Sequence, residues 1–251
     1  MSGDQPTLSR HARHFALSQV GETGQQRIGA GSALLIGVGG IGCASASYLP
    51  SSAIGRLLLC DFDTVDPTNL DRQMLYGPDD VGQRKADCAA ARLEHINPDV
   101  EYVAIGRRLA GDELLDAVSS VDVVLDGCDN FATRFQVNDA CVQAARTLIS
   151  GAAIRLEGQL SVFGPDYAAS PCYRCLYEEA DESLEDCAGN GVLAPVPGVI
   201  GTMMAVEALK HLAGIESPRG ALRLYEGVSG EFRSVQVAKR PGCAGCGREV
   251  V

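Results

Sequence analysis

The residues best able to do chemistry fall into two sets, a glycine-and-charge run near the start and four cysteines toward the end. Gly37, Gly39 and Gly42 form G-x-G-x-x-G after the apolar run that begins at Ser32, ahead of the small-residue stretch Cys43–Leu49. Glycines at this spacing let backbone amides approach a phosphate and let the following helix pack on its strand. Asp61 comes near the end of a second apolar run, Arg56–Phe62, where an acid accepts a ribose hydroxyl. That pair of signals alone fits an NAD-dependent oxidoreductase. The segment DFDTVDPTNLDRQ at 61–73 then sets Asn69, Arg72 and Gln73 behind Asp61 and Asp63. These groups suit a triphosphate and a departing pyrophosphate.

Cys172-Tyr-Arg-Cys175 and Cys243-Ala-Gly-Cys246 pair two C-x-x-C units across a long insertion. Four thiolates suit tetrahedral Zn²⁺, and a site filled entirely by protein ligands is structural. A redox pair is the competing reading. Having two such units, neither opening a helix in a thioredoxin-like context, weighs against it. Cys187 stands apart in the acidic segment Glu178–Asn190. It reads either as an incidental exposed thiol or as a nucleophile, and Glu185 and Asp186 beside it would raise its pKa. Cys43, Cys60, Cys88, Cys128 and Cys141 read as small buried hydrophobes.

The elements that position these residues alternate. Strands are expected at the apolar start of Ser32–Gly42, which runs into glycines, and at Arg56–Phe62, Val100–Ile105, Val121–Leu125 and Thr147–Ser150, and helices over Cys43–Leu49, Lys85–His95, Asp112–Val118 and Thr133–Ala145. A helix over Val199–Leu212 and an antiparallel pair, Ala221–Glu226 with Glu231–Ala238, complete the chain. The fold class is α/β: a Rossmann-like, mostly parallel sheet with helices on both faces, plus C-terminal antiparallel strands and a four-cysteine zinc site. The expected organisation is an N-terminal helical arm (1–30) broken at Gly21–Gly24, a nucleotide-binding core (31–170), and a zinc-binding part of the same domain (171–251).

At 251 residues with 46% hydrophobic and 21% charged composition, the chain can bury a full core. The net charge of −11 argues against nonspecific contact with nucleic acid or an anionic membrane. No apolar run approaches the about 18 residues of a membrane span, and the polar start has no signal-peptide character, so a cytoplasmic protein is expected.

Taken in order, GVGGIG at 37–42, DFDTVDPTNLDRQ at 61–73, VGQRK at 81–85, DGCDN at 126–130, GAAIRLEGQ at 151–159 and APVPGVIGTMMAVEALK at 194–210 resemble the ThiF/MoeB/HesA family. That family shares its adenylation domain with ubiquitin-activating enzymes. The resemblance implies ATP-dependent adenylation of the C-terminal glycine of a small ubiquitin-like sulfur-carrier protein ending in Gly-Gly. It also implies that Gly40 lies against the nucleotide, that Asp61 holds the ribose, that Asn69, Arg72 and Lys85 reach the phosphates, and that Asp129, next to Asn130, binds Mg²⁺. A homodimer is implied, with Arg13 in RHARHFAL entering the partner's ATP site, and Cys187 aligns with a loop cysteine that in some relatives links covalently to the carrier. Cys128 stands where relatives usually carry threonine, and Asp71 where they carry glutamine or histidine. The segment at 214–227 resembles thiamine-pathway enzymes and that at 151–163 molybdopterin-pathway ones, so the carrier is either ThiS-like or MoaD-like. With no rhodanese-like extension in the sequence, a separate sulfur donor is expected. A scaffold that only binds a ubiquitin-like protein would need lost phosphate groups, and none is lost.

The chemistry matches those residue types. A carboxylate attacking the α-phosphorus is already ionised at neutral pH, so charge repulsion and positioning form the barrier rather than proton removal. Arg72, Lys85 and a magnesium ion on Asp129 would meet that charge. Singly, Arg72 and Lys85 read more readily as solvated surface charges, and Asp129 and Asn130 as caps of the helix that begins near Ala132; set together in this order, they do not.

Overall fold

The computed structural model describes residues 10–178 and 191–247. Eight strands form one sheet: β1 (Ser32–Ile36), β2 (Arg56–Cys60), β3 (Glu101–Ile105), β4 (Val123–Asp126), β5 (Thr147–Ile154), β6 (Glu157–Phe163), β7 (Ala221–Glu226) and β8 (Glu231–Gln236). Their order is β3-β2-β1-β4-β5-β6-β7-β8. The first five pair in parallel, and β5 through β8 pair antiparallel.

The apolar runs explain the parallel half. In β1, Ala33 and Leu35 point into one core while Leu34 and Ile36 point into the other. A strand covered on both faces has to be apolar at every position. Helices α1 (Ala12–Phe15), α2 (Gly21–Ala30), α3 (Gly40–Ser51), α4 (Lys85–Ile96), α5 (Gly111–Ser119), α6 (Phe131–Gln143), α7 (Tyr173–Leu176) and α8 (Pro195–Ala213) supply the cover. The first core takes in Ile28 of α2, Leu49 of α3, Leu93 of α4 and Met204 of α8. The second takes in Val118 of α5, Val137 and Cys141 of α6, and all four paired cysteines.

Several elements depart from expectation: β5 runs on to Ile154, α8 starts at Pro195, and the first C-x-x-C unit opens the short helix α7 with Cys172 at its N-cap. Gly21–Gly24 starts α2 instead of breaking the chain, because Gly24 fits where a Cβ would lie 3.1 Å from Val20 and Ile28, one turn on, is buried in the core. The strand β6 is a whole element that periodicity did not isolate, since its outer half, Glu157–Gly158–Gln159, carries little apolar signal. Among the described residues no helix is long and apolar enough to cross a membrane.

Between β1 and β4 the strand order reverses, so the loops after their C-terminal ends diverge and leave a crevice. The candidate site lies in that crevice.

Candidate nucleotide cleft and four-cysteine centre

Gly37 turns the chain out of β1 with φ of +82°, and a Cβ there would lie 3.0 Å from the amide nitrogen of Cys128. Any side chain would push the two loops of the crevice apart. At Gly42 a Cβ would fall 2.0 Å from the Gly37 carbonyl oxygen. Gly42 therefore permits α3 to fold back on the turn and does not face the cleft. Gly39 and Gly40, at the start of α3, do face it.

The cleft encloses about 550 Å³. Gly37, Gly39, Gly40, Asp61, Asp63, Arg72, Gln73, Lys85, Asp129 and Asn130 line it together, although nearly a hundred residues of chain separate the first from the last. Asn69 does not line it; its backbone carbonyl instead accepts from the amides of Arg72 (3.2 Å) and Gln73 (2.9 Å), which fixes the turn that presents both. Arg13 is exposed on α1 and lies outside the cleft of its own chain. Cys187 lies outside the described residues.

Asp61 is buried at the end of β2, its Oδ2 accepting from Val38 N at 2.7 Å and its Oδ1 from Asp63 N at 2.9 Å. Burial pushes its pKa up, against the pull of those two amides and of Lys85. Each carboxylate oxygen keeps a second lone pair for a hydroxyl. Lys85 is buried at the start of α4 with its Nζ 3.1 Å from Asp63 Oδ2. Arg72 donates to Thr68 O at 2.9 Å and to Asp71 Oδ1 at 2.7 Å. Gln73 is 5% exposed, and its Oε1 has no hydrogen-bond partner among the described residues. A buried acceptor left open costs stability unless a ligand answers it.

Asp129 is exposed to the cleft. Asn130 caps α6, its Oδ1 accepting from Thr133 N at 2.9 Å, so its acceptor is spent on the helix while the residue still lines the cleft wall.

Sequence reasoning missed the buried network beneath that wall. Arg134 of α6 is 2% exposed and donates to the carbonyls of Cys128 and Gly151 (3.1 Å to the latter) and to Ser150 Oγ (3.2 Å). Asp126 lies 3.7 Å from the same guanidinium and accepts from the Cys128 amide and thiol. Together they hold the loop that carries Asp129. The signal was present: a fully charged residue inside a helix face of Phe131, Phe135 and Val137 must have an internal partner. Arg108, stacked over the Phe62 ring at 4.4 Å, also lines the cleft and was not singled out. Beyond these charged groups, the cleft runs on past Tyr177 and past Ala153, Gly158, Gln159 and Leu224 on the antiparallel half of the sheet.

Cys172, Cys175, Cys243 and Cys246 come together, all buried, with every pair of sulfurs within 4.8 Å. Cys172 Sγ is 3.7 Å from Cys243 Sγ, and Cys175 Sγ is 3.5 Å from Cys246 Sγ. These spacings exceed a disulfide bond of about 2.05 Å and suit a shared tetrahedral cation with Zn–S bonds of about 2.3 Å. Burial and the neighbouring sulfurs push the Cys172 thiol well up. Burial acts in the same sense on Cys243, yet the amides of Cys246 and Gly245 and the adjoining thiols outweigh it and bring that thiol down to about 7. Four buried sulfurs gathered at these distances form a donor set that fits zinc.

The ThiF family profile matches residues 11–245. The chain is 45% identical over 246 residues to the mouse (Mus musculus) protein "Adenylyltransferase and sulfurtransferase MOCS3", covering 96% of this chain and 53% of that one. It is 42% identical to "Sulfur carrier protein ThiS adenylyltransferase" of Escherichia coli (95% and 94% covered) and 41% identical to "Molybdopterin-synthase adenylyltransferase" of the same organism (98% and 98%). It thus spans about half of the mouse relative and almost all of the two bacterial ones. A crystal structure of E. coli MccB with ATP superposes with a TM-score of 0.83 at 23% identity, covering 98% of this chain and 75% of that one, which is a likeness of fold. Since the match reaches from the first described helix through the first cysteine of the second pair and takes in every cleft residue, the chain belongs to the ThiF family.

Proposed function

We propose that the chain adenylates the C-terminal glycine of a small ubiquitin-like sulfur-carrier protein with ATP, releasing pyrophosphate. The observation that carries this reading is one cleft lined by Asp61, Arg72, Lys85 and Asp129 at one end and by Gly158 and Leu224 at the other. A nucleotide and an extended tail without side chains would fit there end to end. A nicotinamide enzyme would leave two cations and an open carboxylate without work in the same space.

In the reaction, a carboxylate oxygen of the tail forms a bond to the α-phosphorus as the bond to the β-phosphate oxygen breaks. The electron pair leaves with pyrophosphate. Asp61 would accept from the ribose hydroxyls, with Leu109 and Leu114 at the same end offering an apolar slot for the base. Lys85 would exchange Asp63, and Arg72 would exchange Asp71, for phosphate oxygens. Asp129 would hold Mg²⁺, which neutralises phosphate charge when bound. Zn²⁺ held by the four cysteines would act structurally, closing the segment at 243–246 onto the one at 172–175.

The relatives named for ThiS and for molybdopterin synthase point to thiamine or molybdopterin cofactor synthesis, in the cytoplasm, as the setting. A homodimer in which Arg13 completes the partner's cleft, a separate sulfur donor, and Cys187 acting after adenylation complete the reading. In the arm, Arg13→Ala should lower adenylation in an intact dimer. Cys187→Ala should leave adenylation unchanged and impair only later sulfur transfer.

The test is ATP–pyrophosphate exchange by the purified protein with Mg²⁺ and purified carrier proteins ending in Gly-Gly. Exchange with a ThiS-type carrier alone or a molybdopterin-type carrier alone would name the pathway. No exchange with either, alongside tight ATP binding, would overturn the adenylation reading.

A further inference from the structure

An unbroken aromatic path joins the four-cysteine centre to the cleft. Tyr173, between Cys172 and Cys175, is buried, and its ring centre lies 5.1 Å from that of Tyr177. Tyr177 meets Phe131 edge-on at 5.3 Å, and its hydroxyl donates to Gln159 Oε1 at 2.9 Å. Phe131, Tyr177 and Gln159 all line the cleft. Phe131 follows Asp129 and Asn130, at the phosphate end. Gln159 is on β6, paired with Leu224 of β7, on the antiparallel wall.

Tyr177 therefore spans the cleft between its two working ends, and it is anchored from the cysteine side. Its amide donates to Tyr173 O at 3.1 Å, and the Tyr173 amide donates to buried Asn138 Oδ1 at 2.8 Å. Arg174 makes a two-pronged pair with Asp139, both contacts at 2.7 Å, and lies over the Phe135 ring at 4.3 Å. A phenol hydrogen-bonded to a carboxamide has no charge to offer a phosphate. Its value is geometric.

Resting on the adenylation reading above, we propose that Tyr177 is a positioning residue for the acceptor. Held by the cysteine centre through Tyr173, its bond to Gln159 fixes the β6–β7 wall and so sets the distance from the tail carboxylate to the phosphates. A tail without side chains cannot anchor itself laterally, so the wall must do it. Misplacement by about 1 Å is enough to cost a large part of the rate.

Two measurements on the full chain decide it. In exchange assays with ThiS-type and molybdopterin-type carriers, Tyr177→Ala should lower kcat about tenfold and raise the carrier KM, with the ATP KM within about twofold of wild type. Tyr177→Phe keeps the ring but loses the bond to Gln159, and should show most of the same loss. An unchanged kcat, or an equal rise in the ATP KM, overturns the proposal. The second readout is hydrogen–deuterium exchange without nucleotide. Both Tyr177→Ala and chelator-stripped wild type should exchange faster at 157–163 than untreated wild type, with 32–36 and 56–60 unchanged. Unaltered protection of 157–163 overturns the proposal whatever the kinetics show. Wild type that fails to exchange pyrophosphate with either carrier counts against the adenylation reading alone, and deuterium exchange then judges the strut by itself.

Discussion

The cleft and the four-cysteine centre are both polar sites inside an apolar frame, and they are built on opposite terms. In the cleft two of the cations have a substitute partner at hand: Lys85 rests on Asp63 at 3.1 Å and Arg72 on Asp71 at 2.7 Å, and both carboxylates are half exposed. The four sulfurs of the cysteine centre face one another in a buried space, with only hydrogen bonds of about 3.5 to 3.7 Å between them. A ligand that must leave every turnover is met by groups that can relax onto neighbours. A resident ion is met by sulfurs that mostly face one another, with Lys239 Nζ at 3.2 Å from Cys246 Sγ and the Arg240 amide at 3.5 Å from Cys175 Sγ as their other partners. Losses in the cleft should therefore appear in rate, and losses at the cysteines in stability.

The sharpest way to break this contrast is at Arg72. Arg72→Ala and Lys85→Ala should each lower adenylation on the order of a hundredfold or more, by analogy with removing a charge-stabilising donor. Asp129→Ala should act as strongly through Mg²⁺. Thermal midpoints of Arg72→Ala and Asp129→Ala should stay within about 3 °C of wild type, since Asp71 and Asp129 are exposed, whereas Lys85→Ala also takes a cation from buried Asp61 and should cost more. A large drop in melting temperature for Arg72→Ala would erase the distinction between the two sites.

Cysteine variants should do the reverse. Cys172→Ser should release zinc, measured by metal analysis, and lower the melting temperature by about 10 °C, roughly 3 kcal/mol for a chain of this length. ATP binding measured well below the transition should persist. A variant as stable as wild type, with the metal gone, would mean that the sulfurs do not depend on a cation.

Gln73 tests the idea from inside the cleft, with an intermediate effect. Its buried Oε1 has no partner, so Gln73→Leu removes an unsatisfied acceptor at similar volume. Unfolding in urea should show the variant equal to or about 1 kcal/mol more stable than wild type, while the ATP KM rises roughly tenfold. Stability that falls in step with affinity would make Gln73 an ordinary packing residue.

How much of this was legible in the sequence depended on whether the constraint was local. The parallel strands and the glycine turn showed themselves because a strand buried on both faces is apolar throughout, and because G-x-G-x-x-G has one geometric use after such a strand. The cysteine pairs were legible because metal spacing is local within each pair. Gly42 serves the helix-packing half of the motif's expected use, and Asn69 does not line the cleft, because spacing does not reveal which way a residue faces. Arg134 and Asp126 were missed, since their partnership exists only once α6 lies across β4. The strand β6 was missed because its first residues, Glu157, Gly158 and Gln159, carry no apolar alternation and are held as a strand by their neighbours in the sheet.

A third buried polar group calibrates both sites, and its effect is the smallest. Glu207 of α8 accepts from Arg223 of β7 at 2.6 Å and from Lys210 at 3.0 Å, so its partners are all internal and permanent, with no ligand involved. Burial pushes its pKa up, but hydrogen bonds, those from Arg223 and Lys210 among them, hold it below the usual carboxylate range. A depressed folded-state pKa contributes stability that is complete above the unfolded value and is lost as pH falls through the folded one. Glu207→Gln should therefore cost about 1 to 2 kcal/mol in urea unfolding at neutral pH, where both cations are only partly buried. Well below the usual carboxylate range, near pH 3 (about one unit under a free glutamate), the gap to wild type should narrow. ATP KM should not move. A gap that stays constant with pH would show that Glu207 acts by shape rather than by charge.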